Sequence, residues 1–112
     1  MMRLFVDGQL LMESPRALGT YGANNQLQFG KYFADGAASN LKGKLTRIRI
    51  SKGARYSSNF TPPISYSLDA NTVGQWDFTE GSGTVLSDAS SNQINGTIYG
   101  GATWSTDFPQ IP

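Results

Sequence analysis

The alternation of apolar and polar residues predicts a chain built of short β-strands. The clearest run lies within residues 41–63, where one side of a strand carries Thr46, Ile48 and Ile50 and the other Leu45, Arg47 and Arg49. A period of two is typical of a strand with one buried and one solvent-facing side. Lys52-Gly53 ends this strand, and Pro62-Pro63 ends the strand system because proline has no N–H to donate. No window shows the apolar spacing of a helix, so little or no helix is expected.

Further strands are predicted on both sides of this run. Asp7-Gly8 between two apolar arms is typical of a hairpin with a type I′ turn, because both residue types tolerate positive φ. The other predicted strands are short and lie at residues 26–29, 73–78, 84–86, 97–99 and 102–104. In the 73–78 strand, Gly74, Trp76 and Phe78 share the face that we expect to be buried.

Composition narrows the classes of protein. The 112 residues suit one small domain, and 13 glycines and five prolines suit a β protein with many tight turns. The chain has no cysteine and no histidine. That excludes a disulfide framework, a thiolate metal site and a Ser-His nucleophile pair. No apolar run approaches the length of a membrane span and no signal peptide precedes the first predicted strand, so no membrane partner is expected.

Charge is divided unevenly along the chain. Residues 1–66 carry all nine Lys and Arg against three acidic residues, a net charge of +6, whereas residues 67–112 carry five acidic residues and no basic one, a net charge of −5. We expect the two parts to attract each other, within one chain or between chains.

Two sets of multi-residue motifs follow one another along the chain. The first set is RLFVDG at 3–8, LQFGK at 27–31 and, after the 45–50 strand, Lys-Gly, Ala-Arg-Tyr and Asn-Phe-Thr-Pro-Pro. The second set is WDFTEGSG at 76–83, then Asp88, Asn92, Gly96 and Thr97, then GATW at 101–104. The first set resembles the closing segment of laminin-G-like (concanavalin-A-like) jelly-roll domains, and the second resembles their opening segment.

The resemblance implies an all-β, antiparallel, jelly-roll-like β-sandwich. It implies one domain over 1–108, closing-segment-like over 1–66 and opening-segment-like over 67–108, with a tail at 109–112. Closing motifs precede opening motifs and the middle strands are missing. The chain is therefore a shortened and permuted jelly roll, a junction fragment of tandem repeats, or a variant whose last strands resemble the opening ones. An incomplete sandwich leaves open edges, so we expect a homo-oligomer, with a dimer as first choice.

The same resemblance implies a non-catalytic binding or adhesion module, of the kind found in bacterial surface and phage tail proteins. Carbohydrate is the expected ligand, and an extracellular, cell-surface or virion-surface location is expected. The alternative is a structural or assembly module that pairs with other protein chains through open sheet edges. An enzyme is not expected. Asp77 and Glu80 are three residues apart and point to opposite faces of an extended chain, whereas glycosidase carboxyls converge on one cleft.

Candidate ligand-binding residues are basic and aromatic. Arg47 and Arg49 are predicted to share one strand face, where guanidinium groups suit sulfated or carboxylated glycans. Tyr32 and Tyr56 are loop aromatics of the kind that stack on sugar rings. The alternative for the arginines is a solvated face or pairing with the acidic second part. Nucleic acid is not expected, because no recognition helix or RNA-binding aromatic motif accompanies the charge.

An oxygen-rich loop is the candidate metal site. Asp88, Asn92 and Asn95 carry the ligand type that Ca²⁺ prefers. The alternative is a turn in which these side chains bond neighbouring backbone. Apart from this calcium, no cofactor is expected.

Overall fold

The computed structural model describes residues 1–15, 26–31 and 40–109. These residues form six strands and no helix: β1 (Met2–Val6), β2 (Gln9–Ser14), β3 (Ile48–Ser51), β4 (Thr72–Trp76), β5 (Val85–Leu86) and β6 (Gly96–Thr97). They pair antiparallel in three two-stranded sheets, β1–β2, β3–β4 and β5–β6. The prediction of an antiparallel all-β chain is therefore confirmed for the described residues.

None of these residues forms a helix that is long and apolar enough to cross a bilayer.

The first hairpin forms where Asp7-Gly8 predicts it. Asp7 has φ 51° and Gly8 has φ 77°, the pair of positive angles that a type I′ turn requires. The register runs outward from Val6 opposite Gln9 and shifts once, at a bulge between Leu4 and Phe5. The predicted hairpin is therefore confirmed.

The two faces of this hairpin have different surroundings. On one face, Phe5 packs against the loop after β3. The other face carries four half-exposed apolar side chains, Met2, Leu4, Val6 and Met12, which retain 37%, 46%, 50% and 46% of their accessible surface. We call these four residues the outer hairpin face. Alternation along β1 and the pairing of Leu4 with Met12 place them together.

The β3–β4 ladder is shorter than the sequence predicts. Arg47 has φ 49° and Phe78 has φ 58°, so each residue adopts a left-handed conformation that cannot continue a strand. β3 therefore begins at Ile48 and β4 ends at Trp76, the two residues that pair at that end of the ladder. The predicted strand over 45–50 is wrong at its start, and Arg47 and Arg49 do not share a strand face.

Two other predicted strands do not form. Residues 26–29 and 102–104 have no ladder partner; the first segment is followed only by an isolated bridge between Lys31 and Asn40. A strand needs a neighbouring strand to satisfy its backbone hydrogen bonds. The alternation of apolar and polar residues in a short segment does not show whether such a neighbour is present.

The most buried part of the described chain is centred on β4. Trp76 is the one buried apolar side chain among these residues, and its indole lies so close over Gly74 that a Cβ there would approach Cη2 to 2.5 Å. The predicted buried face is thus confirmed for Gly74 and Trp76, while Phe78 is half-buried. On the other edge of β4, Trp76 bridges to Asp88 and the Ala89 N–H donates to the Gln75 carbonyl.

Ion pairs join the basic and acidic parts of the chain. Arg55 pairs with Asp69, and Lys44 pairs with Asp107. Both pairs connect the part before residue 67 to the part after it, as the charge division predicts. The Lys44–Asp107 pair is largely exposed, so it contributes little to stability.

Candidate functional site

An open groove lies between the first hairpin and β3. Its volume is about 430 Å³. The hairpin contributes Phe5, Asp7 and Gly8; β3 contributes Arg49 and Ser51; the loop after β3 contributes Arg55, Tyr56, Phe60 and Tyr66. This groove is the candidate ligand site because it brings rings and charged groups to one surface.

The hairpin turn is docked directly on the loop after β3. The Phe60 N–H donates to the Gly8 carbonyl at 2.9 Å, and the Leu10 N–H donates to Asn59 Oδ1 at 2.8 Å. A Cβ at Gly8 would lie 1.9 Å from the Phe60 carbonyl oxygen. Gly8 is therefore needed twice, for the positive φ of the turn and for the close approach of two backbones.

Three aromatic rings form one wall of the groove. Tyr56 and Phe60 stack with centroids 3.5 Å apart and planes 6° apart. Phe5 meets both rings edge to face, at 5.5 Å from Phe60 and 6.5 Å from Tyr56. Edge-to-face ring contacts stabilise this arrangement beyond the free energy gained from burying the rings. The three rings therefore form a wall of fixed geometry.

Arg55 fixes the loop onto β3 and β4. Its guanidinium donates to both oxygens of Asp69, each at 2.8 Å, and its Nε donates to Ser51 Oγ at 2.5 Å. This bidentate hydrogen bonding holds the pKa of Asp69 well below its usual range and raises the pKa of Arg55. Asp69 therefore balances the positive charge of Arg55.

Arg49 carries the second guanidinium of the groove. Its Cζ lies 4.3 Å from the centroid of the Tyr66 ring, a cation–π contact. Across the ladder Arg49 pairs with Gln75, whose Nε2 donates to the Tyr66 carbonyl at 3.0 Å. Within residues 1–15, 26–31 and 40–109, no carboxylate lies within ion-pair distance of Arg49.

The groove contains two of the four predicted ligand-binding residues. Arg49 and Tyr56 both line it. Arg47 instead donates from Nη2 to the Pro109 carbonyl at 3.2 Å. Tyr32 lies outside the described residues. Sequence reasoning missed Phe5, Phe60 and Tyr66 as site residues. The recurrence of aromatic residues at 56, 60 and 66 is a signal for the last two, and no local signal points to Phe5.

Asp88 is the centre of a separate polar cluster, in which it accepts four hydrogen bonds. Oδ1 accepts from the N–H groups of Gln75 and Ser90, each at 2.8 Å, and Oδ2 accepts from Ser90 Oγ at 2.7 Å and the Ile94 N–H at 2.9 Å. Its side chain is buried. Burial acts to raise the pKa of Asp88, but these donors outweigh it and lower the pKa to about 2. We call Asp88, Gln75, Ser90 and Ile94 the Asp88 cluster.

The predicted calcium ligands all bond to backbone. Asn95 Oδ1 accepts from the Asp88 N–H at 3.0 Å, and Asn92 Nδ2 donates to the Val73 carbonyl at 2.8 Å. Together with the four bonds to Asp88, these contacts favour the turn interpretation of the loop. The described ranges contain no group of three or more His, Cys, Asp or Glu that is able to hold a metal ion. Calcium binding stays a prediction.

The two carboxylates weighed for catalysis have separate partners. Asp77 accepts from Gln75 Nε2 at 3.1 Å, and Glu80 Oε1 accepts from the Ser87 N–H at 2.7 Å. Neither residue lines the groove.

No protein-family model, curated protein or solved structure matches this chain.

Proposed function

We propose that this protein is a non-catalytic carbohydrate-binding module, of an adhesion type, which binds a saccharide in the groove. One observation carries the proposal: the ring wall of Phe5, Tyr56 and Phe60 lies in the same open groove as two guanidinium groups and a carboxylate.

This combination suits a sugar ring. A sugar presents C–H groups on its faces and hydroxyls at its edge, so it is bound by an aromatic surface with a few polar groups beside it. In the groove the charged and hydroxyl groups beside the rings include Arg49, Arg55, Asp7 and Ser51. Asp7 is the one carboxylate among the described lining residues, whereas glycoside hydrolysis uses two convergent carboxyls. Binding is therefore favoured over hydrolysis.

We further propose that the three antiparallel sheets belong to a jelly-roll-like sandwich of the laminin-G-like type. The motifs at 3–8 and 76–83, the hairpin at Asp7-Gly8 and the antiparallel pairing support this fold. Through the same resemblance, we propose a place on a bacterial surface or phage tail protein and an extracellular location.

A glycan array with a matched pair of tyrosine variants tests the function. Tyr56→Ala removes half of the stacked pair, and Tyr99→Ala removes a side chain that is 82% exposed outside the groove. We expect array binding that Tyr56→Ala reduces at least tenfold and Tyr99→Ala leaves unchanged. Tryptophan fluorescence confirms that both variants are folded. Absence of binding to every glycan, or equal losses in the two variants, contradicts the proposal.

A second candidate, the assembly module, is favoured by the outer hairpin face. Its four apolar side chains stay half-exposed, and apolar patches on soluble proteins mark association surfaces. Among the described residues the sheets are two-stranded, and the free edges of such sheets recruit further strands. We propose that a second copy of the chain covers this face, giving a homodimer.

Light scattering on a sizing column, at two concentrations and with calcium or chelator, tests the dimer. The expected mass is that of two chains, and Leu4→Lys, which places a charge in the outer hairpin face, should reduce it to that of one. A wild-type mass of one chain at both concentrations contradicts the dimer. A mass that changes with calcium supports the calcium site at Asp88.

A further inference from the structure

The two guanidinium groups of the groove differ in their partners, and this difference indicates the chemistry of the ligand. Arg55 donates to both oxygens of Asp69. Arg49 has a ring beneath it and, in the part of the chain that the structure describes, no carboxylate beside it. We propose that the saccharide is acidic and that Arg49 binds its carboxylate or sulfate. The proposal rests on the proposed carbohydrate binding and specifies it.

Arg49 is placed to receive an anion. Its side chain is half-buried in the groove, and the Tyr66 ring covers one face of the guanidinium at 4.3 Å. An arginine stacked on a ring still directs its N–H groups outward along its edge, in the fork that matches a carboxylate or sulfate. A partly desolvated cation without a counter-ion gains from an anionic ligand.

The support for Arg49 comes from a buried neighbour. Gln75 is 2% exposed and pairs with Arg49 across the ladder, so the two side chains lie on the same face of the sheet. Its Nε2 donates to the Tyr66 carbonyl at 3.0 Å, which fixes the residue whose ring lies beneath Arg49. The guanidinium is thus positioned before the ligand arrives, and a positioned group loses less entropy on binding.

Asp7 determines how the acidic sugar lies in the groove. It stands at the hairpin turn, while Arg49 stands on β3. A carboxylate there repels an anion and accepts hydrogen bonds from hydroxyls. The acidic group is therefore directed to Arg49 and the hydroxyls to Asp7, with the ring against the Tyr56–Phe60 pair.

Affinity electrophoresis with two matched pairs of polymers tests this assignment. The probes are polygalacturonate with its fully methyl-esterified form, and dextran sulfate with dextran, so each pair differs only in charge. We expect retardation by at least one charged member and not by its neutral counterpart. The pair that shows it distinguishes a carboxylate from a sulfate ligand.

Three variants connect the retardation to the groove. Arg49→Gln is expected to weaken binding of the charged polymer at least tenfold, consistent with hydrogen bonds to a charged group. Arg47→Gln removes the same charge outside the groove and is expected to change affinity less than twofold. Asp7→Asn keeps a residue that type I′ turns favour and is expected to strengthen binding about twofold to fivefold by removing repulsion.

The outcomes distinguish a failure of this inference from a failure of the proposed carbohydrate binding on which it rests. If neutral and charged polymers bind alike and Tyr56→Ala weakens both, the acidic ligand is overturned and carbohydrate binding stands. If Arg47→Gln and Arg49→Gln weaken binding equally, the attraction is general and the assignment to Arg49 is overturned. If none of the four polymers retards the protein, the inference is overturned, and the glycan array decides the proposed function independently.

Discussion

The Asp88 cluster and the groove region, which comprises the first hairpin and residues 53–66, are held together by different interactions. In the cluster, one buried carboxylate accepts four hydrogen bonds from three residues. In the groove region, ring contacts and three hydrogen bonds join the hairpin to the loop after β3, and the outer side chains of the hairpin are half-exposed. Hydrogen bonds to one buried carboxylate thus hold the cluster together, whereas ring packing and hydrogen bonds together hold the groove region.

Because of this difference, we expect the Asp88 cluster to contribute to stability and the groove region to contribute to binding. The hydrogen bonds of the Asp88 cluster all join groups within the protein, so the cluster supports β4. The groove region differs: its rings are half-buried, and among the described residues Arg49 has no carboxylate partner. Changes in the cluster should therefore lower the free energy of unfolding, whereas changes in the groove should alter affinity or docking of the hairpin.

Asp88→Asn should have the largest effect on stability. The amide retains one acceptor oxygen and turns an NH₂ group toward donors that now lack a partner. An unsatisfied buried polar group costs about 1–3 kcal/mol, so we expect a loss of about 3 kcal/mol in the free energy of unfolding. Urea unfolding followed by tryptophan fluorescence measures it.

Asp107→Asn is the matched control for that substitution. Asp107 is a carboxylate whose partner, Lys44, lies with it at the surface. We expect no measurable change in the urea midpoint, because exposed pairs contribute little. Equal losses in the two variants would mean that the Asp88 bonds have no special weight.

Gly8→Ala tests whether the groove region can be released while the cluster stays intact. Gly8 and Gly53 both have φ +77°, but a Cβ at Gly8 meets the Phe60 carbonyl at 1.9 Å and one at Gly53 meets nothing within 4 Å. Both substitutions therefore place an alanine at a strained positive φ, but only Gly8→Ala also creates a clash. We expect Gly8→Ala to cost about 2 kcal/mol more than Gly53→Ala, as for overpacking in a tight contact.

Hydrogen exchange shows which region opens in Gly8→Ala. The Leu10 N–H, bonded to Asn59, should lose protection, while the Ile94 N–H, bonded to Asp88, should keep it. Loss of protection at both sites would show that the two regions unfold as one unit.

Acid should weaken the cluster over a defined range. The pKa of Asp88 is about 2 when folded against an ordinary value of 3.8, so its contribution is complete above about pH 4 and is lost as pH falls through 2. The contribution is on the order of 2 kcal/mol. The stability difference between wild type and Asp88→Asn should therefore narrow from pH 5 to pH 2. A constant difference over that range would contradict the assignment.

Leu4→Thr should have only a small effect on stability. Leu4 is 46% exposed on the outer hairpin face, and threonine suits a strand. In the monomer we expect the free energy of unfolding to change by no more than about 0.5 kcal/mol, the usual range for surface substitutions. The measurement is urea unfolding at a concentration where light scattering gives the mass of one chain. A loss above about 1 kcal/mol would mean that this face is covered within the chain.

The sequence predicted local structure better than long-range contacts. The Asp7-Gly8 turn and the buried Gly74–Trp76 side follow from local chemistry, and both formed. The predicted start of β3 is wrong, because nothing in the alternation of apolar and polar residues over 45–50 indicates that Arg47 adopts a positive φ. Arg49 and Tyr56 were predicted as site residues, but their meeting with Phe5 depends on hairpin docking, which periodicity does not encode.

The range of the contacts also has a consequence for the order of folding. The bonds to Asp88 from Gln75, Ser90 and Ile94 join residues at most 13 apart, whereas the bond from Leu10 to Asn59 joins residues 49 apart. Closing the longer loop costs about 1 kcal/mol more in chain entropy. Local contacts form faster, so the cluster should assemble first and the groove last. A folding intermediate would then have a formed Asp88 turn and no binding site.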